Sequence, residues 1–292
     1  MENAIECFAI FGGLDVELDC SKTHKQLIFE TVLQNFQTIN LHVTNLLNND
    51  KDIIKLLRAL AIGDRRIFSS FKKARLNNIN GGIALEYLQK KNIVTIEYSR
   101  ETDKRELKPK LSKEEAKHRI SDKFLINYPF LRFWFYFVYP HTKEIEQKIY
   151  KNFFDDFEKN QHSYTSLVYE ELSRILLSYN LRDEIIESID SYWDANVEID
   201  ILVKTKNDHI YIAECKWTNH KINKKELNKL IEKSEIAGFK NVKQFILFSK
   251  RGFSKELYNS QNQHLALYTL NDFEFLIHSK PKEMIFPLKF LR

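Results

Sequence analysis

The chain has 292 residues, a formal net charge of +5 and 13% aromatic residues. That length supports two modest domains, each with its own core, and the aromatic content excludes a disordered chain. The small positive excess, on a surface dense in both signs, permits nucleic-acid binding without requiring it.

Cys7, Cys20 and Cys215 form no close pair, so neither a disulfide framework nor a thiolate zinc site is expected. No histidines stand at metal-ligand spacing. The amino terminus lacks the basic start and long apolar run of a signal peptide. The best apolar run, 130–138, is short and carries Arg132. A soluble, cytoplasmic protein with no membrane contact is expected.

Residues 1–50 read as an amino-terminal extension of uncertain fold. Gly12-Gly13 suits a turn or C-cap; it is not a phosphate loop, because no Lys-Ser/Thr follows at the required spacing. Residues 27–47 predict one helix with Ile28, Val32, Phe36, Ile39, Val43 and Leu46 near one stripe, for packing or dimerisation.

Residues 51–140 predict a first helix with Ile53, Ile54, Leu57, Leu60 and Ala61 on its apolar face, a second at 65–75, a turn at 77–82, a third helix holding Ile83, Leu85 and Leu88 and ending near 91, then a strand at 93–98. A charged tip at 100–105, a return strand at 106–108 and a helix beginning at 111–118 follow. Helix, helix, turn, helix and hairpin is the order of a winged helix-turn-helix. One reading puts the third helix in a DNA groove; its apparent face carries Glu86, Tyr87, Gln89 and Lys90. Basic residues lie before it, at Lys72, Lys73 and Arg75, and at the wing. The other reading is a packing or dimer module. Phe130, Phe133, Trp134 and Phe137 recur at helical spacing in the most aromatic stretch. They read as core or interface, since a base-stacking platform needs rings exposed beside a basic groove.

Residues 141–292 predict helices at 144–160 and 163–179, a weaker helical stretch at 183–189, and an extended run from 191. A hairpin spans 197–217. A helix at 224–236 capped by Asn223, a strand at 242–248, a short helix at 253–258 and a strand at 265–269 follow. The tail from 273 carries no assignment. The domain boundary is expected between 140 and 162, and the fold class is α/β, or α+β overall, with a mixed sheet and flanking helices.

The hairpin holds the chemistry. Asp200 lies in its first strand; Glu214 and Lys216 share one parity in the second. Strand interiors rarely carry charge unless it is paired or used. With the loop at 205–208, opposed positions sum to about 413, which sets Asp200 near Ala213 and within one step of Glu214. Two hard carboxylates suit Mg²⁺ or Mn²⁺ better than zinc, and the Cys215 carbonyl can add a ligand. Lys216 can position water or stabilise developing negative charge. The competing reading is an ordinary ion cluster at a sheet edge, with Cys215 a small buried hydrophobe and Trp193 and Trp217 as packing groups.

Glu-Ile-Asp at 198–200 and Glu-Cys-Lys at 214–216 resemble the split D…ExK motif of PD-(D/E)XK nucleases. Together with Trp193, Trp217, Ser121-Asp122 and the Phe-Leu-Arg-Phe-Trp run at 130–134, they are most similar to the nuclease-like carboxy-terminal region (DUF234 type) of archaeal-type ATPases. The resemblance covers about 50–275. It implies a restriction-endonuclease-like sheet at 141–292 after a winged-helix region at 51–140. It also implies catalytic roles for Glu170, Asp200, Glu214 and Lys216, with a metal held by Asp200, Glu214 and Cys215. A basic residue from the helix after the hairpin is implied too, drawn from Lys225, Lys229 and Lys233. No Walker A motif occurs, so ATP hydrolysis is not expected. The functional expectation is a Mg- or Mn-dependent deoxyribonuclease, with RNA not distinguished from DNA. The alternatives are an inactive DNA-binding protein, and an interaction module that pairs with itself or with a separate ATPase.

Overall fold

A computed structural model describes residues 1–19, 21–98, 122–194 and 196–278. Cys20, the charged tip and return strand at 100–108, the helix at 111–118, Ser121 and the end of the tail lie outside them. The described residues divide into two compact units, one of residues 3–97 with 122–162 and one of residues 163–278 with 1–2 and 98.

In the first unit, helix α1 (Glu2–Phe11) ends at the glycine pair, and Gly13 takes a left-handed φ of +95°. The single helix expected at 27–47 is broken in two. Helix α2 (His24–Ile28), opened by a Thr23–Gln26 capping box, runs into a π-turn at Phe29–Leu33; α3 (Phe36–Leu46) follows. The Asn35 amide donates to the Glu30 and Thr31 carbonyls, giving the backbone a local alternative to the continuous helix. The apolar stripe survives the break: Ile28, Val32, Phe36, Ile39 and Val43 are all buried.

Helices α4 (Lys51–Ile62), α5 (Ile67–Ala74) and α6 (Asn78–Lys90) come next, with α4 and α6 capped by Asp50 and Asn77. Strand β1 (Val94–Glu97) pairs antiparallel with β2 (Lys123–Ile126), which opens the aromatic segment. The sequence placed a return strand at 106–108. That stretch lies outside the described residues; among them the partner of β1 is β2, across a long connection that carries no turn signal for this pairing.

Helix α7 (Pro129–Phe133) leads through a wide π-turn (Trp134–Val138) and a tight 3-10 turn (Tyr139–His141) into α8 (Thr142–Glu146). Phe130, Phe133, Trp134 and Phe137 have no exposed surface, and Phe133 meets Phe153 and Phe157 edge-on. These rings are core, not a platform for bases. Helix α9 (Lys151–Asn180) merges two expected helices, because 160–163 holds neither Gly nor Pro to stop it. Its residues to 162 group with the first unit and those from 163 with the second.

The second unit is a mixed five-stranded sheet in the order β3 (Ile186–Trp193), β4 (Glu198–Thr205), β5 (Ile210–Lys216), β6 (Val242–Ser249), β7 (Leu265–Thr269). The stretch 183–189, read as weakly helical, supplies the first half of β3 instead. Its pairing with β4 overrides a weak local preference. Strands β3, β4 and β5 are antiparallel; β6 and β7 add parallel to β5. Helix α10 (Lys224–Ile236) makes the β5–β6 crossover and α11 (Lys255–Ser260) connects β6 to β7. Leu202, Ile212 and Leu247 from the sheet pack with Leu227 and Leu230 of α10. Truncating the fully buried Leu230 to alanine is expected to cost about 2–5 kcal/mol. The mixed sheet with flanking helices and preceding helices makes the fold α/β.

Candidate active site

The β4–β5 hairpin sets the geometry. Thr205 N–H donates to His209 O and Asp208 N–H to Thr205 O, with Asp208 in the left-handed region at φ 59°. An aspartate tolerates that conformation, which closes a three-residue loop. Opposed residues therefore sum to 414, not 413: Leu202 faces Ile212 and Ile201 faces Ala213. In this register Asp200 falls opposite Glu214 itself.

The recorded ladder stops at Ile201–Ala213. At the next step the Asp200 carboxylate takes the place of a strand partner: its Oδ2 accepts the Cys215 N–H at 2.7 Å. Leu202 and Ile212 point into the α10-side core. Side chains alternate along a strand, so Asp200, Glu214 and Lys216 continue that same face.

Glu214 is 6% exposed, and two ammonium groups hold it. Lys216 Nζ lies 2.6 Å from Oε1 and Lys233 Nζ 2.7 Å from Oε2. Lys216 also stands 3.6 Å from Glu226, whose other oxygen Lys229 meets at 2.7 Å. Of the three lysines the resemblance offered, Lys233 reaches the pair, Lys229 only Glu226, and the exposed Lys225 donates its backbone N–H to Asn223. Glu226 went unnoticed in the sequence: an acid in the first turn of a helix reads as a solvated group favouring the helix dipole. The signal available was spacing, since 226, 229 and 233 share a helix face.

The electrostatics divide the two carboxylates. Burial, then the neighbouring Glu214 charge, pushes the Asp200 carboxyl up to about 7; the Cys215 N–H, Lys233 and Lys216 oppose the rise. Burial works against the charge on Lys216, but Glu214 overcomes it and raises that ammonium. Lys216 is thus a cation at neutral pH, a donor and not a base.

Glu170 lies on α9. Its charge is felt at the Cys215 thiol, which burial raises first and Asp200 and Glu170 raise further. Cys215 alternates with Glu214 along β5, so its side chain leaves the opposite face of the sheet. Tyr169, beside Glu170, packs on Trp217 and stacks on Phe273. Trp193 and Trp217 are both buried, and Glu198 is exposed.

Among the described residues, no three His, Cys, Asp or Glu side chains gather closely enough to hold a metal ion. The donor set still suits a hard cation. In a strand the N–H and C=O of one residue leave by the same edge, so the Cys215 carbonyl also turns toward β4. Asp200 Oδ1 carries no described hydrogen bond. The Asp200 carboxyl is raised by its burial first and by the Glu214 charge second. Glu214 must exchange one lysine contact to join such an ion.

In the first unit, the exposed face of α6 carries Ile79 at 74% and Ile83 at 63%, with Glu86, Gln89 and Lys90. Tyr87 does not join that face: its hydroxyl donates to Leu46 O at the end of α3. Lys72, Lys73 and Arg75 are exposed at the end of α5.

Residues 134–230 match the family DUF234, described as archaeal and bacterial proteins of unknown function. The match covers α9, the hairpin and the start of α10. Over 232 residues the chain is 23% identical to an uncharacterized protein of Methanocaldococcus jannaschii, covering 75% of this chain and 47% of that one. The chain thus spans about half the length of that relative. No solved structure matches it. Among the described residues, no helix is long and apolar enough to cross a membrane.

Proposed function

We propose that the second unit is a nuclease of the PD-(D/E)XK type, hydrolysing phosphodiester bonds with Mg²⁺ or Mn²⁺. The observation that carries this reading is the meeting of Asp200, Glu214 and Lys216 on one sheet face where the hairpin ladder ends. Asp200, Glu214 and the Cys215 carbonyl would hold the cation. Bound there, such an ion neutralises phosphate oxygens and lowers the pKa of its water.

The chain's own residues supply the rest. Asp200 is held by the Cys215 N–H, so its orientation is fixed before substrate arrives. Lys216, kept cationic by Glu214, offers N–H donors to a phosphate oxygen as negative charge builds in the transition state. Lys233 anchors the second Glu214 oxygen and so fixes the angle at which Lys216 is presented. Glu170, whose charge reaches the Cys215 thiol, acts on the site as a positioning residue through Cys215.

The test is cleavage of linear and supercoiled DNA, and of RNA, by purified protein with Mg²⁺ or Mn²⁺, with chelator as control. Asp200→Asn should abolish cleavage while the protein stays folded.

A second reading has its own support. Lys216 and Lys233 together satisfy Glu214 without any cation, as in a purely structural ion cluster. On that reading the protein grips nucleic acid without cutting it. The first unit, whose helix order and β1–β2 ribbon suit a winged helix, would then dock on DNA through Lys72, Lys73 and Arg75. Its apolar α6 face, Ile79 and Ile83, fits a groove poorly and favours a protein partner there.

A further inference from the structure

A cleft of about 240 Å³ opens beside Lys216, lined by His220, Lys221, Ile222 and Glu226 among others. It lies on the connection from β5 to α10, just beyond the carboxylate pair. Ile222 is buried at 3% exposure, while His220 and Lys221 are exposed. The lining is cationic on balance. Glu226, its acid, already pairs with Lys216 and Lys229.

Resting on the nuclease reading, we infer that this cleft seats the nucleotide adjoining the scissile phosphate, with Lys221 and His220 on that nucleotide's phosphate. A polyanionic strand leaving Lys216 enters this cleft directly, since Lys216 is itself part of its lining. The volume falls below the about 300–1,000 Å³ of pockets that enclose a whole drug-sized ligand. It suits one nucleotide of a strand, with Ile222 as an apolar contact for the sugar. Phosphate contacts of this kind position the strand and carry no base preference.

The experiment pairs two readouts on Lys221→Ala, His220→Ala and the double variant. In the cleavage assay, the double variant should raise KM about tenfold and change kcat much less, and Lys221→Arg should restore most of the loss. In the Asp200→Asn background, fluorescence anisotropy with a labelled oligonucleotide should show weaker binding in each variant, and the log affinity against log salt should lose about one unit of slope when Lys221 is removed. Unchanged KM, affinity and salt slope in the double variant, beside a wild type that cleaves, would overturn the cleft while leaving the nuclease reading intact. If the wild type does not cleave, the nuclease reading falls, and the binding arm alone still decides the cleft: a reduced slope supports it and an unchanged one overturns it.

Discussion

Asp200 reaches across from β4 and accepts the backbone N–H of Cys215 in β5, a side chain standing where a strand partner would. This bond fixes a carboxylate at the end of the ladder, one position beyond the last apolar pair. It also buries that carboxylate beside Glu214, and burial first, then the Glu214 charge, hold its proton.

The first prediction concerns pH. Asp200 titrates near 7 in the folded chain and near 3.8 unfolded, because burial and Glu214 disfavour its charge. The folded state therefore binds more protons between these values. Stability from this group is fully present below about pH 4 and is lost as pH rises through 7. Asp200→Asn keeps an oxygen for the Cys215 N–H and removes the charge. At pH 8 it should be more stable than wild type by on the order of 1–4 kcal/mol, and the gain should shrink toward pH 5. Urea midpoints at the two pH values check this.

The second concerns the lysines. Lys216→Ala or Lys233→Ala strips one of two charge-assisted bonds from a buried carboxylate, at a cost of about 1–3 kcal/mol each. Removing both leaves the Glu214 charge uncompensated, so the double variant should lose more than the sum. A double-mutant cycle by denaturation that came out additive would argue that each lysine acts independently of the other.

The third concerns the cation. Because Asp200 must shed its proton to bind an ion, apparent Mn²⁺ affinity should fall as pH drops below about 7, with proton release measurable by calorimetry in buffers of different ionisation enthalpy. Saturating ion at about 100 times Kd should stabilise the wild type by about 2.7 kcal/mol and leave Asp200→Ala unmoved.

The fourth tests the packing of the first unit. A Cβ at Gly81 would meet the Phe71 ring at 2.7 Å, whereas at Gly82 nothing lies within 4 Å. Gly81→Ala should destabilise by about 1–3 kcal/mol, and Gly82→Ala in the same helix should stabilise by about 0.5–1 kcal/mol. Thermal denaturation of the two variants distinguishes them in sign.

The parts of the site legible in the sequence were those with a strict period. Asp200, Glu214 and Lys216 stood out because charges at one parity interrupt apolar strands, and the crossover helix because Leu227 and Leu230 follow a helical repeat. The register was one step off because the left-handed Asp208 settles the loop, and an aspartate does not announce that conformation. Non-local pairing was the larger blind spot. Nothing near Val94 reveals that its partner is Ile126, and nothing near Ile186 reveals that β4 will hold it extended. Glu226 and the cleft were hidden for a related reason, since their meaning comes from Lys216, ten residues away along the chain. Glu170 was carried over by resemblance, because nothing in the helical pattern separates it from Glu171 beside it.

The central claim is that Asp200 and Glu214 share one hard cation. Anomalous scattering from crystals soaked in Mn²⁺ tests it most directly. The account predicts a single strong peak about 2.0–2.5 Å from oxygens of both carboxylates, with Glu214 released from Lys216 or Lys233. No peak at this site, with the two lysine contacts on Glu214 intact, would contradict it.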